Sequence, residues 1–420
     1  MSRKNNDAVK EIIPYLLHWY DYNRRILPWR EDPTPYHVWV SEIMLQQTRV
    51  EAVRGYYDRF LASLPDVKAL AEAEEAVLLK LWEGLCYYNR VRNMQKAARI
   101  LAEQYDGEMP ADYDAIRSLP GIGDYTAGAI ASIAFGLPYP AVDGNVLRVL
   151  SRITGSEEDI AKDKTKQAVR ETLLKHMPVR SGDFNQSLME LGATVCLPNG
   201  KPLCEQCPVM HLCKAFHEGR ENELPVKSGK KERRIEKRTV YMIFCGEKIL
   251  LHRRERKGLL AGLWEFPNAL TTEQGSVPET EEQRGALQKD LQTDLLTALQ
   301  AELQEDSQTV AEAVKVTVTK EEKAKHIFSH IEWHMEGVRI QAEPVARGGE
   351  VTPDAEKVWG GTTLPGRIKA FAEQLTGTCM DEENAVFATV SELRDTYAVP
   401  SAFEAYVKAV LKAEEQNEEE

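Results

Sequence analysis

The sequence predicts a multidomain protein, an all-α first half followed by an α+β second half. Three observations carry this expectation. At 420 residues the chain is too long for one compact core, so two or three domains of ordinary size are expected. Up to about residue 215 apolar positions recur at helical spacing, as at Val67, Leu70, Val77, Leu78 and Leu81, without alternating β-branched runs. After about residue 237 the texture changes to short alternating runs.

Taken in order, the chain opens on an amphipathic stretch with Val9, Ile12, Ile13, Leu16 and Leu17 on its apolar face. Helical segments follow, punctuated by turn signals such as Leu64-Pro65-Asp66 and Asp106-Gly107. Residues 1–219 form the expected helical domain, and the polar, basic stretch 220–236 reads as a linker. In the second domain, 237–412, Thr239–Cys245 and Ile249–His252 read as strands around Gly246-Glu247, and Ala313–Val318 alternates as a strand should. Residues 272–312 are acidic, Gln- and Thr-rich and partly helical in period, and read as an insertion on the second domain's surface. Residues 413–420 read as an acidic tail.

With 43% apolar and 28% charged residues the composition is globular. No run of about 18 apolar residues occurs, which predicts no membrane helix and no membrane partner. The start lacks an apolar signal core, which makes a cytoplasmic location the expectation. The formal net charge of −13 argues against a nucleic-acid partner until its distribution is considered. Residues 273–312 hold ten acidic side chains against Arg284 and Lys289, whereas 225–240 holds seven Lys or Arg against Glu232 and Glu236. A local basic strip can still meet phosphates.

Seven cysteines, an odd count, make a disulfide framework improbable. Cys196, Cys204, Cys207 and Cys213 give C-x7-C-x2-C-x5-C, four thiolates able to enclose one metal centre. Zinc and a 4Fe-4S cluster both suit such a set.

Ser118-Leu-Pro-Gly-Ile-Gly-Asp124 leads into a helix rich in small residues. Its turn, with Gly121 and Gly123, can present amides to one phosphate oxygen, or serve as an ordinary interhelix turn. Asp143, in Val142-Asp-Gly-Asn-Val146, is placed to cap a helix, whose dipole would keep the carboxylate ionised. Glu42 has large apolar neighbours, so burial would raise its pKa towards that of a proton donor. One acid and one ionised carboxylate is the pairing that cleaves glycosidic bonds. Leu85-Cys-Tyr-Tyr-Asn-Arg-Val-Arg92 interleaves aromatics with arginines, as a base-flipping protein needs and as a core-facing aromatic pair also would.

Leu27-Pro-Trp-Arg30, Trp39-Val-Ser-Glu-Ile-Met-Leu-Gln-Gln-Thr48, Leu119-Pro-Gly-Ile-Gly123, Val142-Asp-Gly-Asn-Val146 and the cysteine cluster together resemble the endonuclease III superfamily, in its order. The closest resemblance is to adenine DNA glycosylases of the MutY type. It implies a helix-hairpin-helix glycosylase core with an iron–sulfur loop over 196–213, and a 4Fe-4S cluster rather than zinc. Glu42 would protonate the departing adenine. Asp143 would stabilise the oxocarbenium-like sugar, supported by Asn145 and Tyr125. In bifunctional relatives a lysine stands where Tyr125 stands here; a phenol cannot form a Schiff base, so a monofunctional enzyme is implied. Arg30 and Gln186 are similar to residues of the adenine pocket. Gln47, Thr48, Leu85 and Tyr87 match those around the opposing lesion and the kinked stack.

The second half resembles a MutT (Nudix)-like domain that recognises 8-oxoguanine, carried by Leu259-Leu-Ala-Gly-Leu-Trp-Glu-Phe-Pro267 and by Phe328, Ser329 and His330. No Arg-Glu-x-x-Glu-Glu string occurs, so recognition without pyrophosphate hydrolysis is implied. The implied partner is double-stranded DNA with adenine opposite 8-oxoguanine or guanine, met by a monomer in a bacterial cell, at the nucleoid while bound. Three features depart from the family's pattern: the x7 first cysteine spacing where x6 is usual, Cys86 where glycine is usual, and the acidic stretch 272–312. A bifunctional glycosylase and a non-catalytic damage sensor are the competing expectations, the first lacking its lysine and the second at odds with the carboxylate pair.

Overall fold

A computed structural model describes residues 3–229, 232–271, 280–303, 314–344, 346–347, 350–351 and 363–419. The chain divides into two compact units, one of residues 1–74 and 87–230, the other of residues 75–86 and 231–420. No described helix is long and apolar enough to cross a membrane.

The first unit is all helix. Val9, Ile12 and Leu16 of the first helix, Arg3–Asn23, are fully buried against Val149, Leu150, Leu173, Phe184 and Leu188. Their i, i+3, i+7 spacing is what lets one stripe of a helix enter a core. The hairpin is formed by helices Tyr113–Ser118 and Asp124–Ile133. Asp112 caps the first by accepting from the Ala115 N–H at 2.8 Å, and Gly121 turns the chain at φ +79°. The small residues beyond the turn permit close packing. A Cβ at Gly128 would lie 2.2 Å from the Pro140 carbonyl oxygen.

The second unit is built on a seven-stranded sheet. Its strands include β1 (Arg234–Cys245), β2 (Lys248–Arg253), β3 (Trp264–Glu265), β4 (Asn268–Leu270), β5 (Val314–Ile327) and β6 (Ile331–Pro344), in the order β3-β2-β1-β6-β5. β4 pairs with β1, and Ala385–Ala388 pairs with β2. β1 and β6 run parallel with Arg234 opposite Ile331, and β5 and β6 form an antiparallel hairpin. Alternation sends Val314, Val316 and Val318 to one face with Leu364 and Ile368, and Val240, Met242 and Trp333 to the other with Phe403 and Tyr406.

Several boundaries differ from the sequence expectation. β1 begins at Arg234, inside the stretch read as linker, because pairing with β6 recruits the basic residues. Within the acidic stretch, 281–303 is a helix, in line with its partly helical period, and it packs one face inward while most of its described side chains are exposed. Leu291 and Leu295 are fully buried in the sheet's core, and Gln292 bonds the Val314 carbonyl at 2.5 Å and the Val316 N–H at 2.9 Å. The rest of that stretch, 272–279 and 304–312, lies outside the described residues. The expected acidic tail continues the last helix, Glu404–Glu419. Residues 75–86, expected in the helical domain, belong with the second unit: Lys80 Nζ donates to the Tyr397 carbonyl at 3.0 Å, and Glu83 accepts from the Val399 N–H at 2.7 Å.

Candidate active site and cysteine centre

Helices Pro35–Met44, Asp124–Ile133, Gly144–Thr154 and Ser181–Thr194 each contribute side chains to one cavity of about 170 Å3. Glu42, Tyr125, Asp143, Asn145, Arg30, Gln186 and Thr48 all line it. Gln47 is not in its lining; it adopts φ +61° in the loop after the first of these helices.

Glu42 is buried, and Leu27, Trp29, Val38, Leu45 and Met189 line the cavity with it. Burial pushes its carboxyl up to about 7; the Tyr125 hydroxyl, donating to Oε2 at 2.5 Å, pulls the other way, and Asp143 adds to the rise. Tyr125 is itself held well above its ordinary value by burial and by Glu42, so it remains a donor.

Asp143 caps Gly144–Thr154, its Oδ1 accepting from the Val146 N–H at 2.7 Å and its Oδ2 from Asn145 Nδ2 at 2.8 Å. The sequence led us to expect the helix start to keep this carboxylate ionised. Burial works against that: it raises the pKa above the ordinary carboxylate value, outweighing the hydrogen bonds from Val146 and Asn145. Asn145 is held in turn by Arg148, whose Nη2 donates to Oδ1 at 2.8 Å and whose Nε donates to the Cys196 carbonyl at 2.9 Å.

Sequence reasoning missed Glu190. It is almost wholly buried, accepts from Arg25 Nε at 2.7 Å and Arg30 Nη2 at 2.8 Å, and lines the cavity. Arg30 Nε also donates to Gln186 Oε1 at 3.0 Å. The signal was the spacing Gln186, Met189, Glu190, Ala193, one helix face aimed at the cavity.

The other expected residues lie elsewhere. Gly121 and Gly123 stand at the hairpin turn, Gly123 preceding Asp124–Ile133. Leu85 is buried in the second unit, and Tyr87 is half-exposed in the first. Cys86 and Tyr87 adopt φ +59° and +48°, so Cys86 stands in a conformation that glycine reaches without strain. Phe328, Ser329 and His330 form the turn between β5 and β6.

Cys196, Cys204, Cys207 and Cys213 surround a cavity of about 30 Å3, lined also by Arg152, Pro202 and Phe216. Among the described residues no three His, Cys, Asp or Glu side chains form a set able to hold a single ion. Arg152 Nη1 donates to Cys196 Sγ at 3.2 Å and to the Leu197 carbonyl at 2.9 Å. Burial pushes the Cys207 thiol up to about 12 and Cys213 to about 11. The longer first spacing is absorbed by a loop closed through the Leu203 N–H to the Val195 carbonyl at 2.9 Å, with Gly200 at φ +74°.

The HhH-GPD superfamily of base excision DNA repair proteins matches residues 40–175, and the NUDIX domain matches residues 239–409. The adenine DNA glycosylase of Mus musculus is 39% identical over 334 residues, covering 66% of this chain and 63% of its own. That of Homo sapiens is also 39% identical, over 66% of this chain and 60% of its own. The chain thus spans about three fifths of the length of these mammalian relatives. The adenine DNA glycosylase of Buchnera aphidicola subsp. Schizaphis graminum is 34% identical over 60% of this chain and 73% of its own. A solved thermostable thymine-DNA glycosylase is 29% identical over 51% of this chain and 98% of its own, with a TM-score of 0.47. With a helix-hairpin-helix core, a Nudix-like sheet domain and relatives of this identity, the chain belongs to the adenine DNA glycosylases of the MutY type.

Proposed function

We propose that this protein is a monofunctional adenine DNA glycosylase of base excision repair, removing adenine paired with 8-oxoguanine or guanine in double-stranded DNA. The observation that carries this reading is the pairing of Glu42, raised to about 7 and bonded to the Tyr125 phenol, with Asp143 in one cavity.

An adenine flipped into the cavity takes the Glu42 proton on a ring nitrogen as its N-glycosidic bond breaks, so the base leaves neutral. The bonding electrons go with the base, and the sugar becomes an oxocarbenium-like cation. Asp143, ionised and fixed by the Val146 and Asn145 donors, stabilises that cation until water adds to the sugar carbon and gives its proton to the carboxylate that Glu42 has become. Tyr125 orients Glu42 and, lacking an amine, leaves the strand uncut. Arg30 donates to the oxygen of Gln186, so the amide's NH2 would be the end left to meet the base. Gln47, Thr48, Leu85 and Tyr87 would surround the opposing base, and the amides at Gly121 and Gly123 would hold a DNA phosphate.

Four thiols around a void, with a guanidinium donating to one sulfur, fit a 4Fe-4S cluster on Cys196, Cys204, Cys207 and Cys213. Held there, a cluster would cross-link the loop 196–213 through these four side chains. In the second unit, Ser329 between Phe328 and His330 would read the oxidised edge of 8-oxoguanine. The protein would act as a monomer in the bacterial cytoplasm, at the nucleoid while on DNA.

Purified protein should release adenine from duplexes with guanine or 8-oxoguanine opposite, faster with the latter, and leave the abasic strand intact until alkali is added. Strand cleavage without alkali, with a borohydride-trapped adduct, would instead mark a bifunctional enzyme. Tight binding with no base release would mark a damage sensor.

A further inference from the structure

The turn between β5 and β6 is only three residues long, and the Phe328 N–H closes it on the Ile331 carbonyl at 2.8 Å. Two more bonds reach it from Arg233, just before β1, and from Arg234, its first residue. Arg233 Nε donates to the Phe328 carbonyl at 3.1 Å, and the Arg234 N–H donates to the His330 carbonyl at 3.1 Å. The carbonyls on both sides of Ser329 are therefore tied to two consecutive residues at the entry to one neighbouring strand.

The Phe328 side chain is fixed as well. Its ring packs edge-on between His326 and Trp333, with centroids 4.6 and 4.9 Å away. Trp333 is fully buried, donates from Nε1 to Glu236 Oε2 at 2.9 Å, and carries the Arg238 guanidinium 4.3 Å over its ring. Hairpin tips are ordinarily the mobile part of a sheet. Bracing of backbone and ring together is what a tip needs if it must hold one hydroxyl in place.

We propose that Arg233 is a positioning residue: its bond to the Phe328 carbonyl fixes Ser329, and with it the preference for 8-oxoguanine over guanine opposite the adenine. This rests on the reading of the turn given above. The two bases differ on that edge only by a carbonyl at C8 and an N–H where guanine has an acceptor. A hydroxyl that separates them must be placed to within about half an ångström. The bond uses Nε, not the terminal nitrogens, so Gln at this position sets its own Nε2 the same number of bonds from the backbone and keeps the donor without the charge.

The test is single-turnover adenine release by the full chain with its cluster, on duplexes carrying 8-oxoguanine or guanine opposite adenine. Arg233→Ala should lower the ratio of the two rates by roughly three- to tenfold, the worth of one hydrogen bond. Arg233→Gln should restore most of it, and it carries the test if the alanine variant folds poorly. If both variants slow the two substrates equally and flatten the salt dependence, Arg233 contacts a phosphate and the proposal is overturned. If Ser329→Ala loses the ratio while Arg233→Ala keeps it, the turn reads the lesion but Arg233 does not set it. A parental ratio in Ser329→Ala would remove the reading of the turn itself.

Discussion

Replacing Glu42 by Gln should stabilise the protein at neutral pH while abolishing its chemistry. The side chain is buried, and the rise of its pKa from the ordinary 4.5 to about 7 is worth roughly 3 kcal/mol at 1.36 kcal/mol per pH unit. Below the unfolded value the carboxyl is protonated in both states, and its contribution to stability is whole. As pH rises from 4.5 towards 7 the unfolded chain ionises and the folded one does not, so stability is lost, completely once the folded value is passed. Gln keeps the shape and an oxygen for the Tyr125 hydroxyl but never ionises. At about pH 8 Glu42→Gln should therefore unfold roughly 6–12 °C above the parent for a unit of this size, a gap that narrows towards about pH 5. Circular dichroism melting across that range measures the gap, and adenine release should fall by on the order of a hundredfold or more. A variant that melts with the parent's pH dependence would refute the burial argument. One that releases adenine at the parental rate would refute the role of the acid.

Tyr125→Phe removes the donor that pulls Glu42 down, so the alkaline limb of the rate profile, near pH 7 in the parent, should move higher in single-turnover assays. Asn145→Ala deletes a 2.8 Å donor to Asp143, raising that carboxyl further; the acid limb should move up in pH and the rate fall by about tenfold. Gly128→Ala drives a methyl into the Pro140 carbonyl, and the urea midpoint should drop by the equivalent of about 1–3 kcal/mol or more. Cys207→Ser should yield colourless protein with far less than about four irons per chain, measured by iron analysis.

What could be read locally was read: Asp143 before a helix, apolar neighbours around Glu42, two glycines in a tight turn. What depends on distant partners could not be. The Tyr125–Glu42 bond joins residues 83 apart and the Arg30–Gln186 bond residues 156 apart, and neither spacing leaves a mark in the chain. Asp143 shows the limit of arguing locally, because a capping position suggests a carboxylate favoured by the helix start and only the tertiary surroundings reveal the burial that raises its pKa. Glu190 was overlooked since a buried acid on a helix is spelled like a solvated one. The acidic stretch was read from its composition and partly helical period, which do not show which face packs. Leu287, Leu291 and Leu295, each four apart, were the better guide to a packed helix.

Residues 75–86 carry a consequence for anyone who would divide this protein. They are encoded inside the helical half yet complete the sheet-bearing one, where Lys80 meets the Tyr397 carbonyl and Glu83 meets the Val399 amide. A fragment beginning at residue 231 would expose both groups to water and lack the piece that covers them. The second unit is therefore not a cassette that a single cut at the basic stretch can excise. Transplanting it onto another scaffold would need two splices, the shorter one twelve residues long.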